Sequence, residues 1–189
     1  MNYKVFSATV TPLLADGSLD RVGLARVFER NLRHGVSGVF ILGSMGEWGS
    51  FSEAFKEELL AESSRLLAAR GELLVGINAS SVALSLEYMR RYAKYDFDSY
   101  VFMLPGATNA IDPCKAILQL LEAAERPLYY YHCPPANHKN LSLEQFATIM
   151  AHPNLKGIKN SAGHMRLRRE LLMLKQQRGF KTLLCEGEE

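Results

Sequence analysis

Strand-like and helix-like segments alternate along this chain about every 25–30 residues, and that rhythm limits the fold more than any other feature. Short β-rich runs are predicted at 5–10, 38–42, 73–77, 99–103, 128–131, 154–159 and 181–185. Helices are predicted at 20–34, 52–69, 82–94, 113–125, 142–151 and 165–177. Their starts carry caps: Asp20, the Asp112-Pro113 pair, and the capping box Ser142-Leu-Glu-Gln145. Gly71 is the predicted stop of the second helix. The run Gly38-Val-Phe-Ile-Leu42 is apolar on both faces, as a buried parallel strand requires. Seven such strands fit an open doubly wound α/β sheet or a (β/α)8 barrel. A full barrel takes about 250 residues, and this chain has 189. No linker or low-complexity stretch divides it, so 1–189 reads as one domain.

Net charge is +2 with 22% charged and 48% hydrophobic residues, which predicts neither a nucleic-acid nor an acidic-membrane partner. No apolar run approaches the roughly 20 residues of a membrane span, and no long apolar stretch follows Met1-Asn-Tyr-Lys4, so a secretory signal is not expected. Cys114, Cys133 and Cys185 are an odd, scattered set, expected to be reduced thiols in the cytoplasm. The five histidines have no metal-ligand spacing, so no metal is expected.

Three strand ends carry groups with chemical potential. The sixth strand ends on Lys159, with Gly157 and Lys159 on one face and Ile158 on the other. Gly157 is expected to clear space beside the amine. An amine attacks a carbonyl only as the free base, a form that burial favours. A strand-end lysine can equally run its stem along the protein and reach solvent. After the second strand, Gly43-Ser44-Met45-Gly46-Glu47 can make a tight turn whose backbone N–H groups converge on a carboxylate or phosphate, or a plain strand–helix turn. It is neither a dinucleotide fingerprint nor a P-loop. Tyr131 ends the fifth strand on the face of Tyr129, where a phenol can move protons or simply fill core. In a barrel these ends share one rim, where active sites are built.

Together the motifs resemble the dihydrodipicolinate synthase / N-acetylneuraminate lyase family. The matching pieces are Gly43-x-x-Gly46-Glu47, Tyr131-x-x-Pro134, Gly157-Ile-Lys159, Thr11-Pro12 with Asp16-Gly17, and the late Gly187-Glu188. The resemblance implies a (β/α)8 barrel, here incomplete. About six and a half βα units would be present, without strand eight and the C-terminal helices. It implies a cytoplasmic homotetramer as the full-length protein. It implies that Lys159 forms an imine with pyruvate or another 2-oxo acid, which then joins or leaves an aldehyde. Tyr131 would relay protons. The Ser44 and Met45 amides, on a turn shaped by Gly43 and Gly46, would hold the substrate carboxylate, and Gly187 would line the same site. The covalent imine would take the place of any cofactor. With edge strands left open, the 189 residues alone are expected to be unstable.

The chain also departs from the family pattern. Leu104-Pro105-Gly106-Ala107 stands where synthases carry a second tyrosine, and no arginine follows Tyr131-His132-Cys133-Pro134. His132 replaces an asparagine and Met45 a threonine. The aldehyde-selecting half therefore leaves other aldolases, a dehydratase, or a non-catalytic binder of a 2-oxo sugar acid open as alternatives.

Overall fold

All seven predicted strands form, and each is followed or preceded by helix as the hydrophobic spacing requires. The computed structural model describes residues 4–106, 112–163 and 165–187. Ala107 and Glu188, both used in the sequence reading, lie outside them. The chain divides into two compact units, Met1–Gly76 with Arg90–Ser99 and Ile77–Met89 with Tyr100–Glu189.

The first unit carries β1 (Phe6–Ala8), β2 (Gly38–Ile41) and β3 (Glu72–Gly76), paired in parallel in that order. Helix α1 (Arg21–Arg33) starts where predicted, with the Asp20 carboxylate accepting from the Gly23 amide. Its apolar stripe buries Leu24 and Phe28. Helix α2 (Glu53–Leu67) starts at Ser52, whose hydroxyl accepts from the Phe55 amide. The predicted stop at Gly71 is not used. Instead α2 ends at Leu67, with Ala68 and Ala69 in the left-handed region. Gly71 serves close packing, since a Cβ there would lie 3.2 Å from both Leu32 Cδ2 and the Ser37 carbonyl. Beside the following strand, Gly38 allows the same intimacy: its Cβ would overlap the Glu72 carbonyl at 2.3 Å.

The second unit carries β4 (Ser99–Met103), β5 (Leu128–His132), β6 (Leu155–Asn160) and β7 (Leu183–Glu186). From Tyr100 on, these strands too pair in parallel and in sequence order. Helix α3 (Val82–Tyr92) has its residues up to Met89 in this unit and its last turn in the first. Helix α4 (Pro113–Ala123) opens on Asp112, whose carboxylate accepts from the Cys114 and Lys115 amides. A short α5 (Pro134–Asn137) follows β5 and opens on two prolines. Proline suits a first helical turn, because its missing N–H has no partner to lose there. Helix α6 (Leu143–Met150) shows the predicted capping box, and α7 (Met165–Arg178) buries Leu167 and Leu171. All five residues of β5 are buried, and so is Phe146 of α6. The aromatic strand is thus the heart of this unit's core. Among the described residues no helix is long and apolar enough to cross a membrane.

Candidate active site

Two adjacent parallel strands deliver Lys159 and Tyr131 to the same level. In the β5–β6 ladder Tyr131 pairs with Lys159, so both side chains leave the same face of the sheet. The Lys159 amine sits 3.9 Å from the centroid of the Tyr131 ring. At that distance the ring face attracts a cation directly. Tyr131 is fully buried and Lys159 half-buried, so the ring is a fixed platform and the amine keeps a path outward.

This meeting depends on a register irregularity. Leu128 pairs with Leu155, yet Tyr129 pairs with Gly157. Lys156 is the extra residue on β6, and a one-residue slip sends every later side chain to the opposite face. Without it, Tyr131 would stand opposite Ile158 and the amine would leave the other side of the sheet.

Gly157 makes room, but not for the amine. A Cβ there would lie 2.5 Å from Cε1 of Tyr129, so the cleared space holds that ring. This corrects the sequence expectation, and the reason is the packed aromatic strand next door. The floor beneath the lysine is Gly187 instead, where a Cβ would meet Lys159 Cε at 2.9 Å and Nζ at 3.8 Å.

Cys185 is a neighbour the sequence reading overlooked. It pairs with Lys159 in the β6–β7 ladder, so Tyr131, Lys159 and Cys185 form one row. Burial above all, then the Glu186 carboxylate, pushes the Cys185 thiol up, against the pull of the Lys159 charge. Counting two residues back from Gly187 would have found it. Behind the row, on the opposite face, the ring of His132 lies 3.1 Å from the Tyr130 hydroxyl and edge-on to Phe146. Burial holds the Tyr130 phenol protonated well above its ordinary range. The residue in the asparagine position therefore points into the strand–helix core, not toward the amine.

The Gly43–Glu47 turn belongs to the first unit. Leu42 enters it in the left-handed region, as does Glu47 on leaving. Internal hydrogen bonds use the amides of Gly46, Glu47 and Trp48. Among the described residues, the Ser44 and Met45 amides take no part in them, and both residues are exposed. A Cβ on Gly43 would lie 2.7 Å from the Phe40 ring, so any side chain there must push that buried ring aside. Gly46 is clamped by the Thr11 hydroxyl, which donates to its carbonyl at 2.8 Å. The turn thus has two amides outside its internal hydrogen bonds, on exposed residues, and a hydroxyl, a donor set that suits an anion.

A cavity of about 480 Å³ opens elsewhere in this unit, lined by Arg70, Glu72, Asp96 and Asp98 at the entry ends of its strands. Two of its carboxylates are committed to structure: Asp98 accepts from the Leu73 amide, and Glu72 pairs with Lys4. No cluster among the described residues could hold a metal ion.

Residues 1–186 match the dihydrodipicolinate synthetase family. A 4-hydroxy-tetrahydrodipicolinate synthase of Stenotrophomonas maltophilia is 29% identical over 164 residues, covering 84% of this chain and 54% of that protein. The Xylella fastidiosa synthase is 28% identical over 179 residues, covering 91% and 58%. The chain therefore spans a little over half the length of the curated relatives it matches. Among solved structures, a monomeric dihydrodipicolinate synthase variant superposes with a TM-score of 0.89 at 22% identity, covering 97% of this chain and 62% of the other. A prophage protein of the dihydrodipicolinic acid synthase family from E. coli K12, solved with pyruvate, gives 0.88 at 22%, covering 96% and 62%. The fold is accordingly α/β, an incomplete (β/α)8 TIM barrel.

Proposed function

We infer the activity from one premise: the chain belongs to the dihydrodipicolinate synthetase family. The full-length protein is proposed to be a Schiff-base lyase or aldolase acting on pyruvate or a related 2-oxo acid and an aldehyde. The observation that carries this reading is the Lys159 amine held 3.9 Å over the buried Tyr131 ring at paired strand ends.

The amine adds to the keto carbon, a C–N bond forms, and the carbonyl oxygen leaves as water. The protonated imine then draws electrons from the neighbouring carbon. That carbon can lose a proton and add to an aldehyde, or in reverse release one by breaking a carbon–carbon bond. Tyr131 is proposed to carry the protons. The Ser44 and Met45 amides, with the Ser44 hydroxyl, are proposed to take the substrate carboxylate. That assignment rests on the resemblance of the Gly43–Glu47 turn and on two amides of exposed residues that its internal hydrogen bonds do not use. Because the imine is itself the electron sink, the scheme calls for no metal or organic cofactor. A cytoplasmic homotetramer built of single barrel domains completes the proposal.

Incubation of the full-length protein with pyruvate and borohydride tests it. A covalent adduct mapped to Lys159, absent from Lys159→Ala, is expected; a properly folded protein with no adduct overturns the reading. A second reading is a dehydratase, or a binder of 2-oxo sugar acids without turnover. The replaced positions favour it: Leu104 is buried, with its carbonyl accepting from Asn137, and His132 faces away from the amine. Saturable pyruvate binding without turnover of any sugar acid would select the binder.

A further inference from the structure

We propose that Ser161 and Asn160 are positioning residues for Lys159, acting by fixing Gly187 as the floor under its side chain; this rests on the Schiff-base reading above. The three residues and the lysine close a small ring. Asn160 and Ser161 follow the lysine directly in sequence. The Ser161 hydroxyl donates to the Gly187 carbonyl at 2.7 Å. The Gly187 amide donates to the Asn160 carbonyl at 3.4 Å. Both peptide groups of the floor residue are therefore held by the segment that carries the amine.

A second layer steadies the first. The buried Asn160 side chain donates to the Glu186 carboxylate at 3.0 Å, and its own oxygen accepts from the Ala162 amide at 3.3 Å. The Ser161 amide donates to the His132 carbonyl at 2.9 Å, which ties the ring to the end of β5 just past Tyr131. Platform, floor and amine thus share one hydrogen-bonded frame at the ends of three strands. A catalytic amine displaced by about 1 Å can lose two orders of magnitude in rate, so a floor tied to the amine's own segment bears directly on the chemistry.

Gly187→Ala is the sharpest probe. The new Cβ would fall 2.9 Å from Lys159 Cε, the flexible end of a long side chain. The lysine can swing aside at little cost to folding, so placement suffers while the fold holds. Trapping of pyruvate by borohydride in the full-length protein should slow about 100-fold in Gly187→Ala. In Ser161→Ala, which removes one hydrogen bond, it should slow about three- to tenfold. Pyruvate KM should stay within about twofold while kcat falls. Ser161→Thr, which keeps the hydroxyl, should restore the rate. Wild-type trapping rates in both Gly187→Ala and Ser161→Ala, at unchanged melting temperature, overturn the proposal.

Competitive acetylation with acetic anhydride separates this proposal from the one it rests on. It reads the reactivity of Lys159 against Lys156 in the same protein and needs no imine. If even the wild type forms no pyruvate adduct, the Schiff-base reading falls. The positioning role then stands if Gly187→Ala and Ser161→Ala alter the Lys159 to Lys156 ratio, and falls if they do not.

Discussion

The two units hold their functional candidates by different means. In the first, the Gly43–Glu47 turn supports itself through backbone hydrogen bonds closed over four to six residues, with the Thr11 clamp added. In the second, Lys159 and Tyr131 lie far apart in sequence and meet only because β5 and β6 pair in one register. The surroundings differ as well. The first unit is laced by ion pairs: Glu57 with Arg91 and Lys94, Glu62 with Arg65 and Arg21. The second is built on buried aromatic rings in β5 and α6. Peptide amides can be aimed at a ligand by a local glycine pattern. A reactive side chain needs walls, and walls come from neighbouring strands.

The largest effect expected from breaking this contrast is at Tyr131. Tyr131→Phe keeps the ring under the amine and removes only the hydroxyl. Steady-state kinetics should show kcat lower by about 10²–10³-fold with an almost unchanged melting temperature. Tyr131→Ala removes the platform and leaves a cavity in a fully buried site, costing about 3–5 kcal/mol in denaturant unfolding. Equal behaviour of the two variants would show that the ring is not a wall.

Gly43→Ala probes the other unit in the same spirit. Its Cβ would press on the Phe40 ring at 2.7 Å, and that side chain is buried, with little room to give. Overpacking should cost about 1–3 kcal/mol, and KM for the oxo acid should rise more than kcat falls. A variant as stable as wild type would mean that the turn is softer than its hydrogen bonds indicate. Ser44→Ala should leave stability unchanged and raise KM about tenfold through loss of one hydrogen bond to a carboxylate. Isothermal titration with pyruvate would measure it directly.

The smallest effect concerns acid. Hydrogen bonds from Lys94, then Tyr95 and Arg91, hold the Glu57 carboxyl down at about 2, despite its partial burial. The folded value lies below the unfolded one, so the stabilisation is fully present above about pH 4.5. It is lost as pH falls toward 2. Its partners are solvent-accessible, Arg91 half-buried and Lys94 exposed, so screening leaves at most about 1 kcal/mol. Between pH 5 and 2 the wild type should therefore lose that much more stability than Glu57→Gln in urea unfolding. Parallel curves for the two proteins would remove Glu57 from the account of the first unit's stability.

Much of this was legible in the residues. The strand–helix rhythm gave every strand, most plainly β2 to β5, where burial on both faces forces continuous apolar runs. Caps gave the starts of α1, α4 and α6, because a side-chain oxygen placed before a helix satisfies amides that nothing else can reach. The end of α2 was not legible. Its chain reverses on two alanines in a conformation they disfavour, and Gly71 is spent on close approach to Leu32 and Ser37. Nothing local signals that choice.

What the sequence by itself determined is the inventory: strand–helix alternation, the self-contained glycine turn, and an amine and a phenol at strand ends. Those are set by short-range sterics, capping and hydrophobic spacing, which act within a few residues. Only the tertiary structure decided that amine and phenol share a face, that Cys185 completes their row, and that Gly187, not Gly157, lies beneath the lysine. The deciding event is the extra residue at Lys156, which shifts β6 against β5 by one position. Strand pairing is settled by the packing of whole layers, so a single slip that reverses every side chain leaves no mark in the local sequence.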